Sequence, residues 1–126
     1  MGSDLIHDTA IIAPSAVLGA EVTIGVRAVI GEGVHIEDGA SIGCNVLIEA
    51  GARVGKGVRI DSNVIVREGT LISDHVVIGA NSVLGQRPTK AKSSTLASSG
   101  VLPPLRVGEG CQIGVGAVIY AGSEIG

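Results

Sequence analysis

From Leu5 to Pro88 the chain divides without remainder into fourteen blocks of six residues. The second residue of every block is aliphatic, from Ile6, Ile12, Leu18 and Ile24 on to Leu84. The sixth is small or β-branched in almost every block, from Ala10 and Ala16 to Val76 and Ser82. The sixth residue of one block and the second of the next are two apart, so both point inward from a short strand. The fifth is Gly or Asn in most blocks, among them Gly33, Gly39, Asn45, Gly51, Gly57, Asn63, Gly69 and Asn81. These types tolerate a positive φ, which makes that slot a left-handed turn. Each block is therefore one strand and one corner. Three blocks close a triangular coil, and coils stack about 4.8 Å apart. The fold expected is an all-β, three-sided parallel β-helix. A helix is excluded, because an apolar spacing of six does not match 3.6 and the glycine content is too high.

Composition fits this prism. The chain has one Tyr and no Phe or Trp, as a narrow core of Ile, Val and Ala requires. Its 126 residues make a single domain, with repeats over 5–88, an extruded loop over 89–105 and resumed repeats over 106–126. The net charge of −3 argues against nucleic acid as the main partner. Without a run of eighteen apolar residues or a signal peptide, no membrane insertion is expected and a cytoplasmic location is. Cys44 at a corner and Cys111 in an inward slot suit a reducing compartment and no disulfide. The chain ends at Gly126 inside a block, which suggests a truncated protein or an end covered by a partner.

Residues eighteen apart lie above one another. Asn45, Asn63 and Asn81 therefore share a corner, where stacked side-chain amides are expected. The first residue of each block points outward, and on one face these are Ile11, Val29, Leu47, Ile65 and Val83. An exposed aliphatic column of this length suits a subunit interface better than solvent. The repeat stops after Pro88, and residues 89–105 are Ser- and Lys-rich without a period. Long loops in compact domains are usually functional or disordered. If this one replaces no block, Val118 continues the column.

The Ile-Gly pairs at 24–25, 30–31, 42–43, 78–79 and 113–114 resemble those of the hexapeptide-repeat acyltransferases. That resemblance implies a left-handed coil, a homotrimer and acyl-CoA as co-substrate. Handedness comes from the resemblance alone, since ordinary crossovers are right-handed. The segment VVIGANSVLGQRP, the excursion, and PPLRVGEGCQIGVGAVIYAGSEIG look like the nucleotide-sugar N-acetyltransferases. The early blocks also resemble the lipid A N-acyltransferases. The active-site Asn of the nucleotide-sugar enzymes falls on Gln86, and their Pro-Arg pair falls on Arg87-Pro88 in reverse order.

The resemblance implies transfer of acetyl from acetyl-CoA to an amino group on a nucleotide-linked sugar. A non-catalytic trimeric scaffold, or the repeat domain of a larger enzyme, is the alternative. His75 holds a turn slot, which is either a bland use of its tolerance for positive φ or the place of a general base. Gln86 is the second catalytic candidate, with Arg87 and Asn81 as substrate-binding residues. Lys90, Lys92 and Arg106 are either a solvated charge cluster or a phosphate site for coenzyme A or a diphosphate. Gly114 and Ala117 lie where the resemblance implies that the pantetheine arm runs against the backbone. No metal is expected: His7, His35 and His75 occupy different slots, so they do not form a three-His site.

Overall fold

A computed structural model describes residues 5–88 and 102–126, and every element among them is a short β-strand. The first face is built from β1 (Ile11–Ile12), β4 (Val29–Ile30), β7 (Leu47–Ile48), β10 (Ile65–Val66), β13 (Val83–Gln86) and β16 (Val118–Tyr120). The second contains β2 (Val17–Leu18), β5 (His35–Ile36), β8 (Arg53–Val54), β11 (Leu71–Ile72), β14 (Arg106–Val107) and β17 (Glu124–Ile125). The third contains β3 (Thr23–Ile24), β6 (Ser41–Ile42), β9 (Arg59–Ile60), β12 (Val77–Ile78) and β15 (Gln112–Ile113). Pairing is parallel throughout, with Val29 against Leu47 and Leu47 against Ile65. The chain visits the faces in order and returns to each one coil higher, as the six-residue period requires.

Inward residues fill the prism as two sets. The second-slot aliphatics Ile30, Ile36, Ile48, Val54 and Ile78 are buried, and so are the sixth-slot Ala28, Val34, Ala40, Val46 and Val58. Each large side chain buried in this way stabilises by about 1.5–3 kcal/mol relative to exposure. Small partners let three walls meet around them. Backbone bonds join coil to coil, as in Val29 N–H to Val46 O at 2.8 Å and Leu47 N–H to Val64 O at 3.0 Å. The turn slot has positive φ at Gly33, Gly39, Gly51, Gly57 and Gly69, and also at Asn45, Asn63, Asn81 and His75. Glu21 and Arg27 adopt it too, although neither is a preferred type there.

The corner of Asn45, Asn63 and Asn81 differs from expectation. Its rungs are backbone bonds, from Asn45 N–H to Val26 O, Asn63 N–H to Cys44 O and Asn81 N–H to Ser62 O. Among the described residues the three side-chain amides do not bond to one another. The Asn45 Oδ1 accepts from Arg27 Nε–H at 3.1 Å instead. Asn occupies this slot because it tolerates the conformation.

The regular register ends at Leu84. Val83 pairs with Val118 and Leu84 with Ile119, but Gln86 pairs with Tyr120, so Gly85 is an extra, bulged residue. Its φ of 87° is one that a residue with a Cβ rarely adopts. A Cβ there would also collide with Thr70 Oγ1. Thr70 is fully buried, and its hydroxyl has no hydrogen-bond partner among the described residues. The chain re-enters at the corner it left: Pro104 packs over Gly69, and Gly122 N–H donates to Pro103 O at 2.8 Å. Leu71 then pairs with Arg106 and Val83 with Val118, so the excursion replaces no block and the column reaches Val118.

Candidate functional site

The three faces define three corners, and the candidate residues divide among them. Gln86 and Arg87 lie at the corner between the first and second faces, where the chain leaves the repeat. His75 follows β11 and lies between the second and third faces, opposite the first. Asn81 precedes β13 and lies between the third and first. Gly114 and Ala117 gather at this last corner around Ser82. The buried Ser82 hydroxyl donates to Gly114 O at 2.9 Å and accepts from Ala117 N–H at 3.1 Å. Gly114 is exposed, and a Cβ on it would meet nothing within 4 Å. Lys90 and Lys92 lie outside the described residues.

His75 is exposed and held in the turn slot with a φ of 60°, and its N–H donates to Lys56 O at 2.8 Å. Its neighbours in the corner column are Gly57 below and Gly110 above, whose N–H bonds to Asp74 O. The imidazole leans into the space that Gly57 leaves: a Cβ on Gly57 would lie 2.7 Å from His75 Nδ1. A glycine on each side keeps a ring at this corner accessible, which suits a group that must take a proton from a bound molecule.

The second face joins two of these corners. An open groove of about 560 Å³ crosses it, lined by Leu71, Ser73, Arg106, Val107, Gly108, Glu124, Ile125 and Gly126. Arg106 begins β14 at the edge nearest Gln86 and Arg87, and is exposed. Ser73, two residues before His75, lies at the other edge. Glu124 is the register partner of Arg106 and lowers the net positive charge of that wall. A smaller groove of about 230 Å³ lies on the third face among Ser41, Arg59, Asp61 and Val77. Among the described residues no three His, Cys, Asp or Glu side chains gather closely enough to hold a metal ion. No helix among them is long and apolar enough to cross a membrane.

Two residues at the first corner were not singled out by the sequence reading. Arg67 Nε–H donates to Glu49 Oε1 at 3.1 Å, and Arg67 Nη1–H donates to Gln86 Oε1 at 3.2 Å. Glu49 Oε1 also accepts from the backbone N–H of Glu68 at 3.0 Å. The signal was available: Glu49 and Arg67 are eighteen apart, opposite in charge, and both occupy the third slot, where Gly predominates.

Two family models match the chain. The one described as bacterial transferase hexapeptide (six repeats) matches residues 39–74 and 51–86. The one described as hexapeptide repeat of succinyl-transferase matches residues 16–50 and 104–126. The chain belongs to the hexapeptide-repeat family. No curated protein matches it as a relative. Among solved structures it is similar to a histidine-to-asparagine variant of perosamine N-acetyltransferase from Caulobacter crescentus in complex with CoA and GDP-perosamine. That match has a TM-score of 0.52 and 23% identity, over 63% of this chain and 46% of that one. A histidine-to-alanine variant of GDP-perosamine N-acetyl transferase from the same organism, with the same two ligands, gives a TM-score of 0.40 and 20% identity. It covers 90% of this chain and 51% of that one. The chain thus spans about half the length of the structures it matches. The first likeness agrees with the architecture of this hexapeptide-repeat chain, a left-handed parallel β-helix.

Proposed function

We propose that the protein is an acyltransferase that moves acetyl from acetyl-CoA to an amino group of a nucleotide-linked sugar. The second-face groove is the observation on which this rests. It has a cation, Arg106, at one edge and Ser73, two residues before the exposed His75, at the other. The family descriptions name transferases, and the similar structure binds CoA and GDP-perosamine. Those facts support the substrate classes.

The chemistry follows from what each group can do. The free amine attacks the thioester carbonyl, so that a C–N bond forms and the C–S bond breaks. The ammonium so formed loses a proton to His75, and the departing thiolate takes one up to leave as coenzyme A. Imidazole suits the first transfer because its ordinary proton affinity lies near neutral pH. Arg87, Arg106, Lys90 and Lys92 supply cations for phosphate, with Arg as a planar fork and Lys as a point charge. Gly114, Ala117 and Asn81 form a surface along which a slender arm approaches the backbone. The aliphatic first face is the contact of a homotrimer, which leaves the second face open to ligand.

Saturation binding tests this reading. Acetyl-CoA binds saturably at low salt, and Arg106→Ala raises the dissociation constant at least tenfold, which is about 1.4 kcal/mol. Salt weakens the wild type in the same direction, because exposed charges are screened. Unchanged affinity in Arg106→Ala returns this cation to the solvated surface. No binding at all removes coenzyme A from the account.

A further inference from the structure

We infer that Arg67, held by Glu49, is a positioning residue that fixes the Gln86 amide so that its NH₂ faces the substrate as a hydrogen-bond donor. The inference rests on the proposed function and on the reading of Gln86 as its second catalytic candidate. Three observations lead to it. Glu49, Arg67 and Gln86 form one vertical chain of hydrogen bonds across three coils, at 3.1 and 3.2 Å. The Gly85 bulge brings Gln86 into that column, since without the extra residue Gly85 itself would stand above Arg67. Gly85 also stands against the buried Thr70 hydroxyl, which has no hydrogen-bond partner among the described residues.

The direction of the amide follows from charge. A guanidinium has donors and no acceptor, so only the carbonyl oxygen of Gln86 can face Arg67. The Nε2 group must then point the other way. Its contact there is a long one, to Arg87 O at 3.3 Å. Such a bond is readily exchanged for a better acceptor. The group that Gln86 recognises is therefore an acceptor oxygen, such as a thioester carbonyl, a sugar hydroxyl or a phosphate. Glu49 keeps Arg67 from swinging away and offsets its charge, so the corner presents a neutral donor. Arg67 and Glu49 are both partly exposed, with side chains 38% and 30% accessible, and a pair of this kind adds little to stability. Removing it should therefore change function more than folding.

The test combines kinetics with a spectroscopic readout of the side chain. Acetyl transfer from acetyl-CoA to a nucleoside-diphosphate amino sugar is measured for wild type, Arg67→Met, Arg67→Lys, Gln86→Ala, Gln86→Glu and the double variant Arg67→Met/Gln86→Ala. The Gln86 side-chain NH₂ is observed by ¹H–¹⁵N NMR, assigned by its loss in Gln86→Ala. Arg67→Met is expected to lower kcat roughly tenfold to a hundredfold with little change in melting temperature. It also averages the Gln86 NH₂ environment. Arg67→Lys recovers part of the rate, because one donor remains. In the Gln86→Ala background, Arg67→Met has no further effect. Gln86→Glu is as slow as Gln86→Ala, because a carboxylate beside Arg67 offers no donor. An unchanged Gln86 signal in Arg67→Met overturns the inference. So does full activity in Gln86→Glu, or a normal kcat in Arg67→Met while Gln86→Ala is slow. If Gln86→Ala itself turns over at the wild-type rate, the placing of Gln86 at the substrate has failed. The NMR result then shows separately whether Arg67 orders it.

Discussion

His75 combines two properties that the repeat usually keeps apart. Its backbone does the work of a turn glycine, at a φ of 60°, while its side chain stands exposed between two glycines. The two roles separate in one substitution. Asn adopts the same conformation without strain but cannot take up a proton near neutral pH. His75→Asn should therefore keep its melting temperature and its acetyl-CoA affinity while kcat falls by about 10²–10⁴. Steady-state kinetics on the variant checks this. A wild-type rate would leave His75 as a turn residue, with the proton passing to solvent or to the substrate. The block pattern already marked His75 as the unusual occupant of its slot. It also fixed the three corners, because residues of consecutive blocks fall on consecutive faces. The separation of His75, Gln86 and Asn81 was thus legible in the sequence by counting. The groove along the second face was not, because it depends on the depth of side chains there.

At the scale of one coil, glycine serves two unrelated purposes, and substitutions tell them apart. Gly51 has a φ of 74°, and a Cβ there would meet nothing within 4 Å. Gly51→Val should destabilise by roughly 1–3 kcal/mol through the backbone alone. Gly51→Asn should be nearly neutral. Gly43 is an ordinary strand-end glycine, yet a Cβ there would lie 2.9 Å from Asp61 C and 3.0 Å from Ile60 O in the next coil. Backbone cannot swing aside, so Gly43→Ala and Gly43→Asn should both destabilise, by about 1–3 kcal/mol. Denaturation midpoints for the four variants check the distinction. A neutral Gly43→Ala would show that coils separate more easily than the spacing implies.

The strands, the faces and the inward slots were legible because the period forces them. A two-residue strand has no other way to bury its second and sixth positions. The bulge at Gly85 was not legible, because Gly85 occupies the third slot, where Gly is already the rule. The expected Asn amide ladder failed for a related reason. The slot selects Asn for its backbone, and nothing in that selection aligns the side chains.

On the scale of the molecule, the three faces differ in what they offer. Ile11 is 65% and Val118 54% accessible at the two ends of the first-face column, with Val29, Leu47, Ile65 and Val83 half-buried between them. This is the surface that the proposed trimer covers. Leu47→Glu should leave the protomer folded, since the side chain points outward, but bury an unpaired charge between subunits at a cost of several kcal/mol. Sedimentation should then show monomer, and a trimer persisting at micromolar concentration would remove the first face as the contact. The second face, with Arg106 at one edge and His75 beyond the other, is where the account places the chemistry. The measurement that addresses this most directly is the release of coenzyme A thiol from acetyl-CoA, followed with and without a nucleoside-diphosphate amino sugar. Release should require the amine, saturate in both substrates and be lost together in His75→Asn and Gln86→Ala. Release that ignores the amine, or wild-type rates in both variants, would contradict it.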